Sequence, residues 1–184
     1  MTRHDDLSES LYSRAHAVLD RRSFLVGAAA SLAALAWPAG ARAQSASKLD
    51  QALATSYVVY VTPLKSDGSE STCHGEVWFV TDGQDVLVVT AADRWRAAAI
   101  GKGLDRARLW AGEHGIWKRA AKAWEKSPST DARASLDADP AVHARALARF
   151  GEKYASEWGK WGPRFEKGLA SGERVLIRYT PDRA

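Results

Sequence analysis

Between residues 57 and 64 the chain reads YVVYVTPL, a run of β-branched and aromatic residues that predicts a strand. KSDGS follows, and Gly68 supplies the backbone angle that a tight turn demands. Two further runs, STCHGEVWFVT (71–81) and VLVVTA (86–91), predict strands joined through DGQD by a hairpin connection. Three strands in succession with short turns imply an antiparallel sheet. The period then changes. ADRWRAAAIGKG (92–103) is alanine-rich and ends at glycines, the pattern of a helix and its stop. ARLWAG (107–112), ARASLDA (132–138) and RVLIRYT (174–180) predict three more strands. Before the last of them, DPAVHARALARFGEKY (139–154) predicts a helix in which Asp139 is the cap and Pro140 fits the first turn. Val142, Ala146, Leu147, Phe150 and Tyr154 share one face of it.

Three segments are read less directly. In GIWKRAAKAWEKS (115–127), Trp117 and Trp124 stand one heptad apart, which favours a helix over a strand extension. In EWGKWGPRF (157–165), Pro163 is expected to end any helix, leaving Trp158 and Trp161 as a packed lid. Residues 44–56 suit a spacer and a short helix, and no internal repeat or low-complexity tract follows. About six short strands with one helix after the third and another before the last predict a mainly β, α+β domain. Sequence order fits a small barrel decorated by helices or a half-open sandwich.

The N-terminal stretch has a different logic. Arg21 and Arg22 precede FLVGAAASLAALAW (24–37), which carries no charge and is too short to span a bilayer. Ala41 and Ala43 occupy signal-peptidase positions. The arginine pair and the basic Arg42 before the cut resemble a twin-arginine (Tat) signal. The expected organisation is a signal peptide at 1–43, the spacer and short helix at 44–56 and one folded domain at 57–184. The Tat machinery would export it folded to the periplasm or beyond, with no membrane span after cleavage. Tat cargoes often cross with a cofactor already inserted, so a bound cofactor is the first thing to seek.

Charge narrows the partners. The chain has 26 basic and 22 acidic residues, of which the leader holds 5 and 4, and those that remain are interspersed. No basic stripe is interleaved with stacking aromatics, so nucleic acid is not an expected partner. Cys73 is the single cysteine and cannot form an intramolecular disulfide; it is expected to be a buried, inert thiol. His74 and Glu76 alternate on one strand beside it, but H-x-E without a second cluster is a weak metal signal, and His114 and His143 are isolated. No metal is expected. Neither a hydrolase triad nor a Walker or Rossmann glycine motif is present.

VLVVTAADRWRAAAI (86–100) is the most informative segment for chemistry. A strand ends near Thr90 and runs through small residues into a helix start, where N–H groups and the helix dipole favour an anion. Arg94 and Arg96 add two guanidinium groups suited to phosphate. Two readings are open on chemistry alone. The arginines either form an anion pocket or are solvated or paired with the nearby Asp93 and Glu76.

From Tyr57 to Pro181 the chain resembles the pyridoxamine 5'-phosphate oxidase-like, FMN-binding split-barrel family. The resemblance rests on the DGS turn after the first strand, VWFVTDG (77–83), the VVTAADRWRAAAI junction, RARLWAG and the closing RVLIRYTP. It implies a split β-barrel of about six antiparallel strands and a flavin held in a cleft between two subunits of a homodimer. Thr90 would contact the phosphate through its hydroxyl, Arg96 would pair with it, Arg94 would be a second cation, and Trp95 would stack or pack beneath the helix. The strand from Gly75 through Glu76 and Trp78 to Val80 would run along the isoalloxazine ring, with Gly75 permitting close approach.

The resemblance has gaps. Glu76 stands where family oxidases carry basic residues, and the pyridoxamine substrate signature is missing, so that specific oxidase activity is not expected. The resemblance implies an exported flavin-dependent oxidoreductase using FMN or a deazaflavin on an unidentified small molecule. His74, Trp158 and Trp161 are candidates for the substrate side, and no catalytic side chain is assigned because the flavin carries the chemistry. The alternatives are a non-catalytic module that binds flavin, haem or another planar ligand on the same fold, and a structural protein whose cleft is empty.

Overall fold

The computed structural model describes residues 47–182. The leader with its arginine pair therefore lies outside the described residues. In chain order the elements are α1 (Lys48–Thr55), β1 (Val59–Pro63), β2 (Gly75–Val77), β3 (Val80–Asp82), β4 (Asp85–Ala91) and α2 (Trp95–Gly101). They continue as β5 (Arg106–Ala111), β6 (Ser129–Asp137), α3 (Pro140–Lys153), α4 (Ala155–Ser171) and β7 (Arg174–Pro181). No helix among the described residues is long and apolar enough to cross a membrane.

All seven strands belong to one antiparallel sheet in the order β2-β1-β5-β6-β7-β4-β3. β2 and β3 are adjacent in sequence yet occupy opposite edges. Only two residues, Trp78 and Phe79, join them, so the sheet must curl until its edges nearly meet. The result is a split barrel, an α+β fold, and not a two-sheet sandwich. Its interior is filled by alternate residues of the strands, including Val59, Val61, Val86, Val88, Leu109, Ala132, Ile177 and Tyr179. Those eight are each no more than 1% exposed, so the core is dry.

The strand expected over 71–81 is thus two strands, which makes the total seven instead of about six. The chain crosses from edge to edge at Trp78–Phe79, where ladder partners are unavailable. Tyr154 fills the gap. Its hydroxyl lies 2.9 Å from both the N and the O of Phe79 and 2.8 Å from the O of Tyr57. Buried backbone groups need partners, and one phenol here replaces missing rungs of the sheet.

The helices show three agreements and two corrections, since α1 and α2 form within 44–56 and 92–103 as expected. α3 begins as expected, with the Asp139 carboxylate accepting from Ala141 N–H at 2.8 Å and Pro140 in the first turn. α4 was not expected: it runs through Pro163, whose ring cannot donate to the preceding turn but does not stop the helix. Gly162 and Gly151 let Trp158 lie against both helices, since a Cβ at either would meet its indole ring at 2.8 and 3.0 Å. Packing therefore outweighs the lost hydrogen bond. Segment 115–127 is not an α-helix. Ala121 and Lys122 have φ of 44° and 62°, which break helical progression and leave turns and a 3-10 turn at Ala123–Lys126.

Candidate functional site

The junction after β4 forms as the sequence suggests. β4 ends at Ala91, Arg94 caps α2 through its backbone, and α2 runs only from Trp95 to Gly101. Arg96 leaves the first turn of α2 and reaches across the barrel end to β2. A Cβ at Gly75 would lie 2.5 Å from Arg96 Nη2, so the missing side chain is the space the guanidinium occupies. Arg96 also acts electrostatically on Tyr179, in the barrel core, where burial pushes the phenol up to about 12 and the arginine pulls it back. Among the described residues Arg96 has no ion pair, and its Nε is buried without a hydrogen-bond partner.

Positive charge also gathers where β7 starts, opposite the end of β4. Arg174 starts β7 directly opposite Ala91, and Gly168 of α4 gives it room, because a Cβ there would meet its side chain at 2.6 Å. Burial first, then the charges of Arg164 and Arg94, push Arg174 below the ordinary arginine range, against the pull of Glu173. Arg164 of α4 and Arg94, the residue that caps α2, thus repel Arg174 at the start of β7. Such an arrangement gains from an added anion. Sequence reasoning missed Arg164 and Arg174, since neither shares a local motif with Arg94. The register of β7 on β4 brings Arg174 there, and α4 brings Arg164.

Not every expected residue converges on the site. Thr90 is buried in β4 opposite Val175. Trp95 is 39% exposed and lies under Lys102, whose Nζ is 4.8 Å from the ring centroid. Glu76 points the other way from Gly75, as successive strand residues must. It sits opposite Tyr60, and its Oε2 accepts from Trp117 N–H at 3.1 Å while Oε1 is buried without a partner. His74 shares that outer face, with Nδ1 2.5 Å from the Thr62 hydroxyl and its ring near Trp117 and Trp124. The acidic side chain that would oppose a phosphate is therefore on the opposite face of β2. Cys73 is half-buried, not fully enclosed. Among the described residues no group of three metal-ligating side chains occurs.

The tryptophans pack elsewhere. Trp78 stacks on Tyr154 at 4.2 Å, and Trp161 and Phe165 meet it edge-on. Trp158 stacks on Phe150 at 6.2 Å. These rings fasten the α3–α4 pair over the β2–β3 crossing. They serve the packed role expected for 157–165, but within a helix.

No protein-family model matches the chain, and no curated protein matches it. Among solved structures, it is similar to the heme storage protein HutZ from Vibrio cholerae, with a TM-score of 0.51 and 15% identity over 73% of this chain and 87% of that one. It is also similar to a conserved hypothetical protein from Mycobacterium tuberculosis, with a TM-score of 0.52 and 14% identity over 72% and 78% of the two chains. ChuZ from Campylobacter jejuni gives a TM-score of 0.52 at 11% identity, covering 73% of this chain and 52% of the other. At such identities the likeness is one of fold.

Proposed function

We propose that this chain is an exported flavin-binding protein that works as a homodimer and whose flavin, FMN or a deazaflavin, carries out oxidoreduction on a small molecule. The observation that carries the reading is Arg96, a half-buried guanidinium with an orphaned Nε and no anionic partner among the described residues. The residues present fit the phosphate end of such a cofactor. Arg96 lies in a cradle that only glycine at position 75 leaves open, and Arg94, Arg164 and Arg174 concentrate positive charge where β7 starts, opposite the end of the strand that feeds the junction. Glu76, the residue that most opposed this reading in the sequence, faces away.

When bound, the isoalloxazine would supply the hydride or electron transfer. The chain would bind and orient it. Arg96 pairs with the phosphate through a charge-assisted contact, and Thr90 lies at the end of the strand that feeds the junction. β2 is an edge strand, bonded on one side only, so its outer N–H and C=O groups are available to fix a ring. The dry interior behind Gly75, from Val61 to Tyr179, excludes water from that side.

Titration of the purified chain with FMN, followed by flavin fluorescence, tests the reading. Arg96→Ala should weaken retention by about 2 kcal/mol, roughly 30-fold in Kd, as expected for one charged hydrogen bond. Unchanged affinity in the variant would remove the site. Wild-type protein that ignores both FMN and a deazaflavin would remove the function, and selective haem uptake in the same assay would favour the non-catalytic binding module.

A further inference from the structure

A second feature lies on the outer face of β2, away from the arginines. Glu76 is 8% exposed and its two oxygens differ: Oε2 accepts from Trp117 N–H at 3.1 Å, while Oε1 is buried without a hydrogen-bond partner. No ion pair reaches Glu76 among the described residues. Arg108, opposite Thr62 on the next outward-facing rung, is already held by Asp131 at 2.6 Å and Glu70 at 3.1 Å. A carboxylate enclosed in this way is costly until a cation with a hydrogen to donate meets it.

Aromatic rings gather beside that carboxylate. Tyr60 stands opposite Glu76 in the ladder, and Trp124 stacks on Tyr60 at 5.5 Å. His74, two residues before Glu76, has its ring centroid 5.7 Å from that of Trp117 and 6.0 Å from that of Trp124. Electron-rich ring faces attract cations, and a carboxylate among such faces suits an organic ammonium. A metal ion would need more ligands than Glu76 and His74, and no group of three occurs among the described residues. Trp117 and Trp124 lie on either side of Ala121 and Lys122, in turns and not in the sheet. The backbone hydrogen bonds that Arg119, Ala120, Ala123, Glu125 and Ser127 donate all stay within this segment, so it can lift without breaking a rung of the barrel and admit a small ligand.

We propose that Glu76, with the rings of Tyr60, His74, Trp117 and Trp124, forms a binding site for a small primary amine in its ammonium form. One ammonium N–H donates to Glu76 Oε1, which completes the carboxylate that Trp117 N–H half satisfies. The charge and the adjoining carbon of the ligand rest against the ring faces. Binding makes no covalent bond and moves no electron. It is independent of the arginine site and of any cofactor there, because Gly75 and Glu76 face opposite sides of β2.

The test titrates the isotope-labelled full chain with ethylammonium chloride near neutral pH, against sodium chloride at equal ionic strength, and follows amide NMR signals. The Trp117 backbone amide, which shares the carboxylate, should shift and saturate with a Kd of roughly 1–10 mM, a range open to so small a ligand. Tetramethylammonium carries the charge without an N–H and should bind at least about tenfold more weakly. Both titrations use the unaltered protein, so neither depends on a variant that folds. Glu76→Gln keeps an acceptor for the Trp117 amide but removes the charge, and it should lose at least about tenfold in affinity for ethylammonium. Trp117→Leu, which keeps the backbone N–H and removes a ring, should lose roughly threefold. A shift that never saturates, equal binding of tetramethylammonium, or undiminished affinity in Glu76→Gln would overturn the assignment.

Discussion

Removing one oxygen from Tyr154 tests the account of how the split barrel closes. The residue is 1% exposed, and its ring stacks on Trp78 at 4.2 Å and contacts Tyr57 and Phe150. Tyr154→Phe keeps all of that. What it loses is the hydroxyl that accepts from Phe79 N–H and lies within 2.9 Å of the Phe79 and Tyr57 carbonyls. A phenol has one proton, so it donates to one carbonyl at a time. The change thus strands one buried N–H and one buried C=O at the place where the chain crosses between sheet edges. Each stranded group costs about 1–3 kcal/mol, which puts the whole effect near 3 kcal/mol. For a domain of this size that lowers Tm by roughly 10 °C. Urea unfolding of both proteins, followed by tryptophan fluorescence, measures the difference directly, and an unchanged slope would confirm that the native surface is preserved. A loss below about 0.5 kcal/mol would refute the idea that this hydroxyl substitutes for missing sheet bonds.

Other outcomes follow from the same geometry. Burial raises the Asp82 carboxyl, but hydrogen bonds and charge from Arg149 and Arg178 outweigh it and hold the group below the usual range, so the stability it contributes is present above the unfolded value and lost as pH falls through the folded one. Arg178 also contacts Asp85 at 2.6 Å and Asp137 at 2.9 Å, so Arg178→Met should destabilise the fold by about 3 kcal/mol near pH 7 and flatten the acid decline seen in urea titrations between pH 5 and 3. Gly162→Ala should cost about 1–2 kcal/mol because the new methyl meets the Trp158 ring, while Gly159→Ala, which has open space on the same helix, should gain up to about 1 kcal/mol; equal effects at the two positions would discount the packing argument. Replacing Arg21 and Arg22 by lysines should hold the precursor in the cytoplasm, as fractionation with an immunoblot would show, and normal export would end the folded-cargo reading.

Local chemistry determined the strands, the turns and three of the helices. Alternating β-branched residues mark β1, β4 and β7, Asp139 and Pro140 mark the start of α3, and Gly68 and Gly83, with φ of 80° and 61°, mark the turns. The β4–α2 junction and its arginines are legible for the same reason, since each signal lies within a few residues. Three features are not local. The division of 71–81 at Trp78 arises from the curl of the whole sheet, and the passage of α4 through Pro163 arises from packing against Trp158 and Phe150. The positive charge gathered at the start of β7 arises from a register, Arg174 opposite Ala91, that joins residues more than eighty positions apart. Likewise, alternation alone placed Glu76 and Gly75 on opposite faces, but only the position of Arg96 decided which face is the candidate site. Sequence fixes the period of each element, because period depends on neighbouring side chains. Tertiary structure decides which distant charges meet, because that depends on how the edges of one curled sheet come together.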